Sequence, residues 1–254
     1  MSKLKALLFD VDGTLANTEA NGHRVAFNKA FSEAGLDWEW SIPLYGQLLA
    51  VTGGKERIKY YVNDFLDDFT IDQDLTDFAA QLHQRKTHFY LQMLQQGDIP
   101  LRPGVERLIR EARESGLRMG IATTTTPANV TYLLSSTLGE ESLEWFEVIA
   151  AGDIVPAKKP APDIFEYAMR EMAITPDETL AFEDSANGFK SSTGAGLKTL
   201  VTVNSYTQDD DFPGASIVLD KMGDADDPFT VLSGNANSYT YVTVDMLRDL
   251  FARS

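Results

Sequence analysis

Asp10 and Asp12 stand one residue apart, directly behind the apolar run Leu4-Lys5-Ala6-Leu7-Leu8-Phe9, and Gly13-Thr14 follows them. In extended chain, side chains two residues apart leave on the same side, so both carboxylates can face one cleft, and Gly13 allows a sharp turn. Two carboxylates this close resist ionising together unless a cation neutralises them or one keeps a proton for acid work. A second acidic pair, Glu183-Asp184, also follows an apolar run, Thr179-Leu180-Ala181-Phe182, and offers the oxygen ligands that Mg²⁺ takes. Thr123 follows Met119-Gly120-Ile121-Ala122; its hydroxyl and the amides after it, those of Thr124 and Thr125, can receive a phosphate oxygen. Lys159 precedes Pro160-Ala161-Pro162-Asp163, a stiff segment that fixes where its ammonium points. Each residue also has an ordinary reading: Asp after a strand caps a turn, Thr near Pro127 caps a helix, and a lysine is usually solvated.

The elements that must carry these groups follow from hydrophobic periodicity. Short apolar runs at 4–9, 118–122, 148–150, 179–182 and 198–203 read as strands, and the stretches 105–115, 128–138, 163–172 and 186–194 read as helices between them. Strands separated by helices of this length predict βαβ units and an α/β, doubly wound parallel sheet. Right-handed crossovers then bring the loops after the strands to one edge, where such sheets bind ligands. Between about residues 18 and 95 the texture changes. Apolar residues recur at helical spacing (Phe27, Ala30, Phe31; Ile58, Tyr61, Val62, Phe65) without alternation, which predicts an all-helical insert after the first strand and a catalytic core made of 1–17 and 96–254. In the tail, 216–219 reads as a short strand, 224–237 as a polar loop, 244–251 as a helix, and Asp209-Asp210-Asp211 as a solvated loop.

Composition narrows the classes. The chain of 254 residues, 43% hydrophobic, is large enough for a substantial core. Its 22 basic and 38 acidic residues give a net charge of −16, which excludes a non-specific nucleic-acid binder and disfavours an acidic membrane surface. With no cysteine, thiolate chemistry and zinc ribbons are excluded, and a hard cation held by oxygens is the metal to expect. The apolar run at Ala6–Phe9 is too short for a signal peptide or a spanning helix. A cytoplasmic monomer acting on a small molecule is the expectation.

In this order and spacing, Phe9-Asp10-Val11-Asp12-Gly13-Thr14, Thr123, Lys159-Pro160-Ala161-Pro162-Asp163 and Phe182-Glu183-Asp184-Ser185 resemble the four signature motifs of the haloacid dehalogenase-like phosphohydrolases. The resemblance implies a two-step phosphoryl transfer, with Asp10 as nucleophile and Asp12 as general acid and then base. It implies Mg²⁺ held by Asp10, the backbone carbonyl of Asp12, Glu183 and Asp184, with Thr123 and Lys159 neutralising the transferring group.

The insert stands where this superfamily places a cap that closes over the site. Thr18-Glu19, Gly22-His23-Arg24, Leu44-Tyr45-Gly46 and Thr52-Gly53-Gly54-Lys55-Glu56-Arg57 resemble the CbbY-type branch, related to the β-phosphoglucomutases, which hydrolyses xylulose 1,5-bisphosphate. On that resemblance Glu19, His23 and Lys86 contact the sugar. Gly53 and Gly54 permit close backbone approach, and Lys55 and Arg57 hold a second phosphate. For Lys86 the alternative is a solvated lysine on an amphipathic helix, and for the Gly-Gly segment a helix boundary followed by an exposed basic face. A phosphomutase would share every core residue. A catalytically inert binding module on the same fold is the other reading, against which the intact Asp10, Asp12, Lys159 and Asp184 stand.

Overall fold

The computed structural model describes residues 4–51, 53–66 and 69–253. They form two compact units, one made of the described residues of 4–17 and 100–253 and the other of those of 18–99.

In the first unit, the apolar runs that end in acidic residues become neighbouring strands. β1 (Ala6–Phe9) is buried along its whole length. It pairs in parallel with β2 (Arg118–Ala122) on one side and with β4 (Thr179–Glu183) on the other. With β3 (Val148–Ala150), β5 (Lys198–Thr202), β6 (Ile217–Leu219) and β7 (Val231–Gly234), the sheet runs β3-β2-β1-β4-β5-β6-β7. Every pairing is parallel except that of β6 with β7. The doubly wound α/β sheet expected from the sequence is therefore present, with an antiparallel edge.

That edge is the correction. The 224–237 stretch, read as a loop, contains β7, whose residues are all exposed. A strand with no buried face shows no alternation, so the sequence pattern was silent there.

The register fixes the site. Phe9 lies opposite Phe182, their rings stacked at 4.5 Å, and the Asp10 amide donates to the Phe182 carbonyl at 3.0 Å. Asp10 and Glu183 therefore leave their strands side by side. The helices α5 (Val105–Glu114), α6 (Pro127–Leu138), α7 (Asp163–Glu171), α8 (Ala186–Gly194) and α9 (Val244–Arg253) belong to this unit. Under α7, Leu8, Ala181, Ile164 and Phe165 form one apolar cluster, each large side chain contributing roughly 2 kcal/mol of burial. Helices α6 and α8 begin on side-chain caps: Thr126 Oγ1 accepts from the Asn129 amide, with Pro127 in the first turn, and Ser185 Oγ accepts from the Gly188 amide.

The second unit contains a π-helical stretch Thr18–His23 followed by α1 (Arg24–Glu33), α2 (Ile42–Leu48), α3 (Gly54–Phe65) and α4 (Leu75–Gln96). The Asp74 carboxylate caps α4 by accepting from the amides of Thr76 and Asp77, and Gly97 ends it in the left-handed region. An aromatic cluster of Phe27, Phe31, Trp38, Trp40 and Tyr61 forms its core. Where the first unit is interrupted, its two chain ends meet: Ala16 pairs with Leu101 in an antiparallel bridge, and the Arg102 amide donates to the Leu15 carbonyl at 2.8 Å.

Candidate active site

Asp10, Glu183 and Asp184 are buried together, and one carboxylate oxygen from each lies within 4.8 Å of the others. Lys159, its side chain 8% exposed, donates to Asp10 Oδ1 and Glu183 Oε1, both at 2.6 Å. The expected alternative for Lys159, a solvated surface residue, is thus excluded. Its neighbour Lys158 is the exposed one and pairs with Asp153. Burial works against the Lys159 charge, but Asp10 and Glu183 outweigh it and hold its pKa above the ordinary lysine value.

The carboxylates respond in the opposite sense. Burial first, then Asp10, raise Glu183 to about 8 against the pull of Lys159. Burial, Asp10 and Glu183 raise Asp184 well above the usual carboxylate range, with Arg102 and Lys159 opposing. Three clustered buried carboxylates share one ammonium, which touches two of them, and together their oxygen donors suit a hard divalent cation.

Two glycines let the carboxylates sit so close. Gly13 has φ +91, and a Cβ there would lie 2.1 Å from Asp184 Oδ2. At Gly188, in the first turn of α8, a Cβ would lie 1.8 Å from Glu183 Oε2. Neither position accepts alanine without moving a member of the cluster.

Asp12 is half-buried at the turn after β1. It is not among the three clustered carboxylates. The Thr123 amide donates to the Ala150 carbonyl at 2.9 Å, and its buried hydroxyl accepts from the Thr125 amide at 3.3 Å. Thr124 is exposed, and Thr125 Oγ1 accepts from Asn129 Nδ2 at 3.0 Å.

Two residues with evident roles were missed in the sequence. Asn204, two residues past β5, donates from Nδ2 to Asp184 Oδ2 at 2.7 Å. Arg102, read only as part of the punctuation around Pro103-Gly104, is buried among backbone carbonyls. Their only advance signal is an uncommon residue for a buried position, visible once the fold is known. The triplet at 209–211 also does more than face solvent, since the Asp210 carboxylate accepts from the Ala186 amide at 2.9 Å.

In the helical unit, two polar groupings gather the expected cap residues. Tyr45 Oη donates to Glu19 Oε2 at 2.7 Å and accepts from Arg57 Nη1 at 2.9 Å. Arg57 also donates to the carbonyls of Leu48 and Val51. Three of its five N–H groups are therefore committed inside the unit. Gly53 does mark a helix boundary, the N-cap of α3, and Lys55 is exposed beside it, whereas Arg57 is buried and so stands outside any exposed basic face. Lys86, also buried, lies 2.7 Å from His23 Nδ1 and over the rings of Phe27 and Tyr90; the solvated-lysine reading is overturned. Burial first, then Lys86, hold the His23 pKa well below its usual value, so a neutral ring accepts from the ammonium. Gly53 has φ +95, and a Cβ on Gly54 would lie 2.4 Å from the His83 ring, so this segment does need glycine. Thr52 lies outside the described residues.

Comparison with known proteins identifies relatives of the whole chain. The profile of the haloacid dehalogenase-like hydrolases matches residues 4–196. Protein CbbY of Rhodobacter capsulatus is 47% identical over 213 residues, covering 84% of this chain and 91% of that protein. Protein CbbY of Cereibacter sphaeroides is 43% identical over 221 residues, covering 87% and 94%. A crystal structure of an Asp-to-Asn mutant of CbbY from Rhodobacter sphaeroides, in complex with xylulose-(1,5)bisphosphate, matches with a TM-score of 0.70 and 42% identity, covering 86% of this chain and 94% of that one.

Proposed function

The chain belongs to the haloacid dehalogenase-like hydrolases, and from that premise we propose that it is a Mg²⁺-dependent sugar-phosphate phosphatase acting through an aspartyl phosphate, with xylulose 1,5-bisphosphate or a similar sugar bisphosphate as substrate. The buried Asp10-Glu183-Asp184 cluster with Lys159 across it carries the reading. Sequence identity of 42–47% with CbbY proteins over 84–87% of the chain supports the substrate. The enzyme is proposed to work as a cytoplasmic monomer on a small molecule. Among the described residues, no helix is long and apolar enough to cross a membrane.

Asp10 attacks phosphorus, and the bond from phosphorus to the sugar oxygen breaks as Asp12 delivers a proton to that oxygen. Asp12 then takes a proton from water as its oxygen attacks the phosphoryl group, which frees Asp10 and releases inorganic phosphate. The hydrogen bond from Lys159 to Oδ1 holds the Asp10 carboxylate in one orientation, so no rotamer search precedes attack. Lys159 and Thr123 also meet the charge on the transferring group. Asp10, Glu183, Asp184 and the Asp12 carbonyl would hold Mg²⁺, which when bound supplies further positive charge to the phosphoryl oxygens.

Phosphate release from a panel of ketose and aldose mono- and bisphosphates tests the whole reading. The highest kcat/KM is expected with a bisphosphate, with loss of turnover in chelator and recovery on adding Mg²⁺. Full activity in chelator would remove the metal, and no release from any member would remove the phosphatase.

The substrate's second phosphate is assigned to the Gly53-Gly54-Lys55 segment, with Arg57 lending only its two uncommitted N–H groups and Glu19, His23 and Lys86 meeting the sugar. Lys55→Ala is expected to cost a bisphosphate about 2 kcal/mol in kcat/KM, the scale of a charge-assisted hydrogen bond, and to leave p-nitrophenyl phosphate unchanged. Arg57→Ala strands the Leu48 and Val51 carbonyls, so it should depress both substrates and lower Tm. The paired kinetics and a melting curve separate these outcomes. Equal losses on both substrates for Lys55→Ala would end its assignment to the distal phosphate.

A further inference from the structure

Arg102 spends its buried guanidinium on neutral backbone. It donates to the carbonyls of Gly13, Thr202, Val203 and Asp220 and to Thr202 Oγ1, at 2.9 Å for the Thr202 carbonyl, 2.6 Å for Val203, 2.8 Å for Asp220 and 3.1 Å for the hydroxyl. The acceptors come from three separate places: the turn after β1, the end of β5 and the residue after β6. No ion pair to its guanidinium is recorded among the described residues, and burying a guanidinium is costly unless its donors are well satisfied. Only the planar fork of arginine can reach so many carbonyls at once; a lysine ammonium is a point donor.

Two of those carbonyls lie next to the reacting groups. Gly13 follows Asp12, and its Cα packs so tightly on the Asp184 carboxylate that a Cβ would collide with it. Val203 precedes Asn204, whose Nδ2 holds Asp184 Oδ2. One side chain therefore fixes the turn that presents Asp12 and the strand end from which Asp184 is gripped.

We propose that Arg102 is a positioning residue for the phosphatase reaction, clamping the Asp12-Gly13 turn to the ends of β5 and β6 so that Asp12 and Asp184 keep their places together. This rests on the function proposed above. Arg102 lines an open cavity of about 320 Å³ together with Asn17, Asn204, Ser205 and Asp220 among others.

The test uses the full chain with Arg102→Lys and Arg102→Ala. With p-nitrophenyl phosphate and Mg²⁺, kcat should fall about 10- to 100-fold in both variants, the usual cost of losing an outer support of a metal site, with KM within about threefold. Calorimetric titration of Mn²⁺ without substrate should show affinity weakened by about tenfold. Guanidinium ion at millimolar concentration should restore turnover to Arg102→Ala, and ammonium should not. A purely structural role would lower Tm without a kcat-specific loss or a rescue. Arg102→Lys keeps charge and length, so it covers the case in which Arg102→Ala fails to fold. Normal kcat and normal Mn²⁺ affinity in Arg102→Lys would overturn the proposal. Should the parent chain itself release no phosphate, the function proposed above fails, and the Mn²⁺ titrations still decide the positioning role.

Discussion

Asp10→Asn is expected to bring phosphate release below about one thousandth of the parent rate, a loss of at least about 4 kcal/mol in transition-state stabilisation. The amide is nearly isosteric, but its oxygen is a poor nucleophile and cannot form a stable acyl phosphate. The fold should survive, because the amide oxygen can still accept from Lys159, and removing one of three crowded carboxylates takes away the repulsion that adds to burial in raising Glu183 and Asp184. Phosphate release and a melting curve on the same sample check both halves. A variant retaining a tenth of parent activity would rule out Asp10 as nucleophile.

Lys159→Met should cost about 100-fold or more in kcat, roughly 2.7 kcal/mol or above. Methionine fills the same space but leaves Asp10 and Glu183, both paired at 2.6 Å in the parent, without their common donor. A negative site stripped of its internal cation attracts an external one more strongly, so Mn²⁺ affinity should hold or rise while turnover collapses. That opposition is what distinguishes a group acting on the phosphoryl charge from one that only keeps the carboxylates in shape. A parallel fall in turnover and Mn²⁺ affinity would assign Lys159 to the second role.

How much of this was legible in the sequence depended on range. β1 to β6 announced themselves as apolar runs, buried throughout at β1, β4 and β6 and half-buried over most of β3, and Asp10, Thr123 and Glu183 because each stands at the end of such a run, whereas Lys159 comes nine residues after β3. β7 was hidden since Val231 and Leu232 sit exposed at the sheet's edge and impose no pattern on their neighbours. Arg102 was hidden for a different reason: its partners lie about a hundred residues away at Thr202, Val203 and Asp220, and nothing local distinguishes it from a surface arginine beside a turn. Lys86 shows the same limit at shorter range. Its helical position fits either a wet or a dry face, and only the packing of His23, Phe27 and Tyr90 around it decides. Arg57 carries the sharpest lesson, because residue type suggested a phosphate grip while three backbone and tyrosine contacts show a residue engaged in holding its own unit together.

The bridge between Ala16 and Leu101 bears on the order in which the chain assembles. Residues 18–99 are contiguous and, although α1 and the His23 before it pack on α4 across 52 to 63 residues, they form a compact unit with its own core that does not need the sheet to complete it. The sheet has the harder search, since β1 must find β2 across the whole of that stretch and β4 from further still. A flexible loop costs about 0.6 kcal/mol more in closure entropy for each doubling of its length. Once the helices have collapsed, however, the chain between Ala16 and Leu101 is no longer a flexible loop. Its ends arrive together, and the separation that β1 must bridge to reach β2 shrinks to residues 10–15 on one side of the bridge and 102–117, including α5, on the other. The interruption of the sheet's sequence is in this sense its shortest route: a pre-folded segment that hands the nucleophile's strand to its partners.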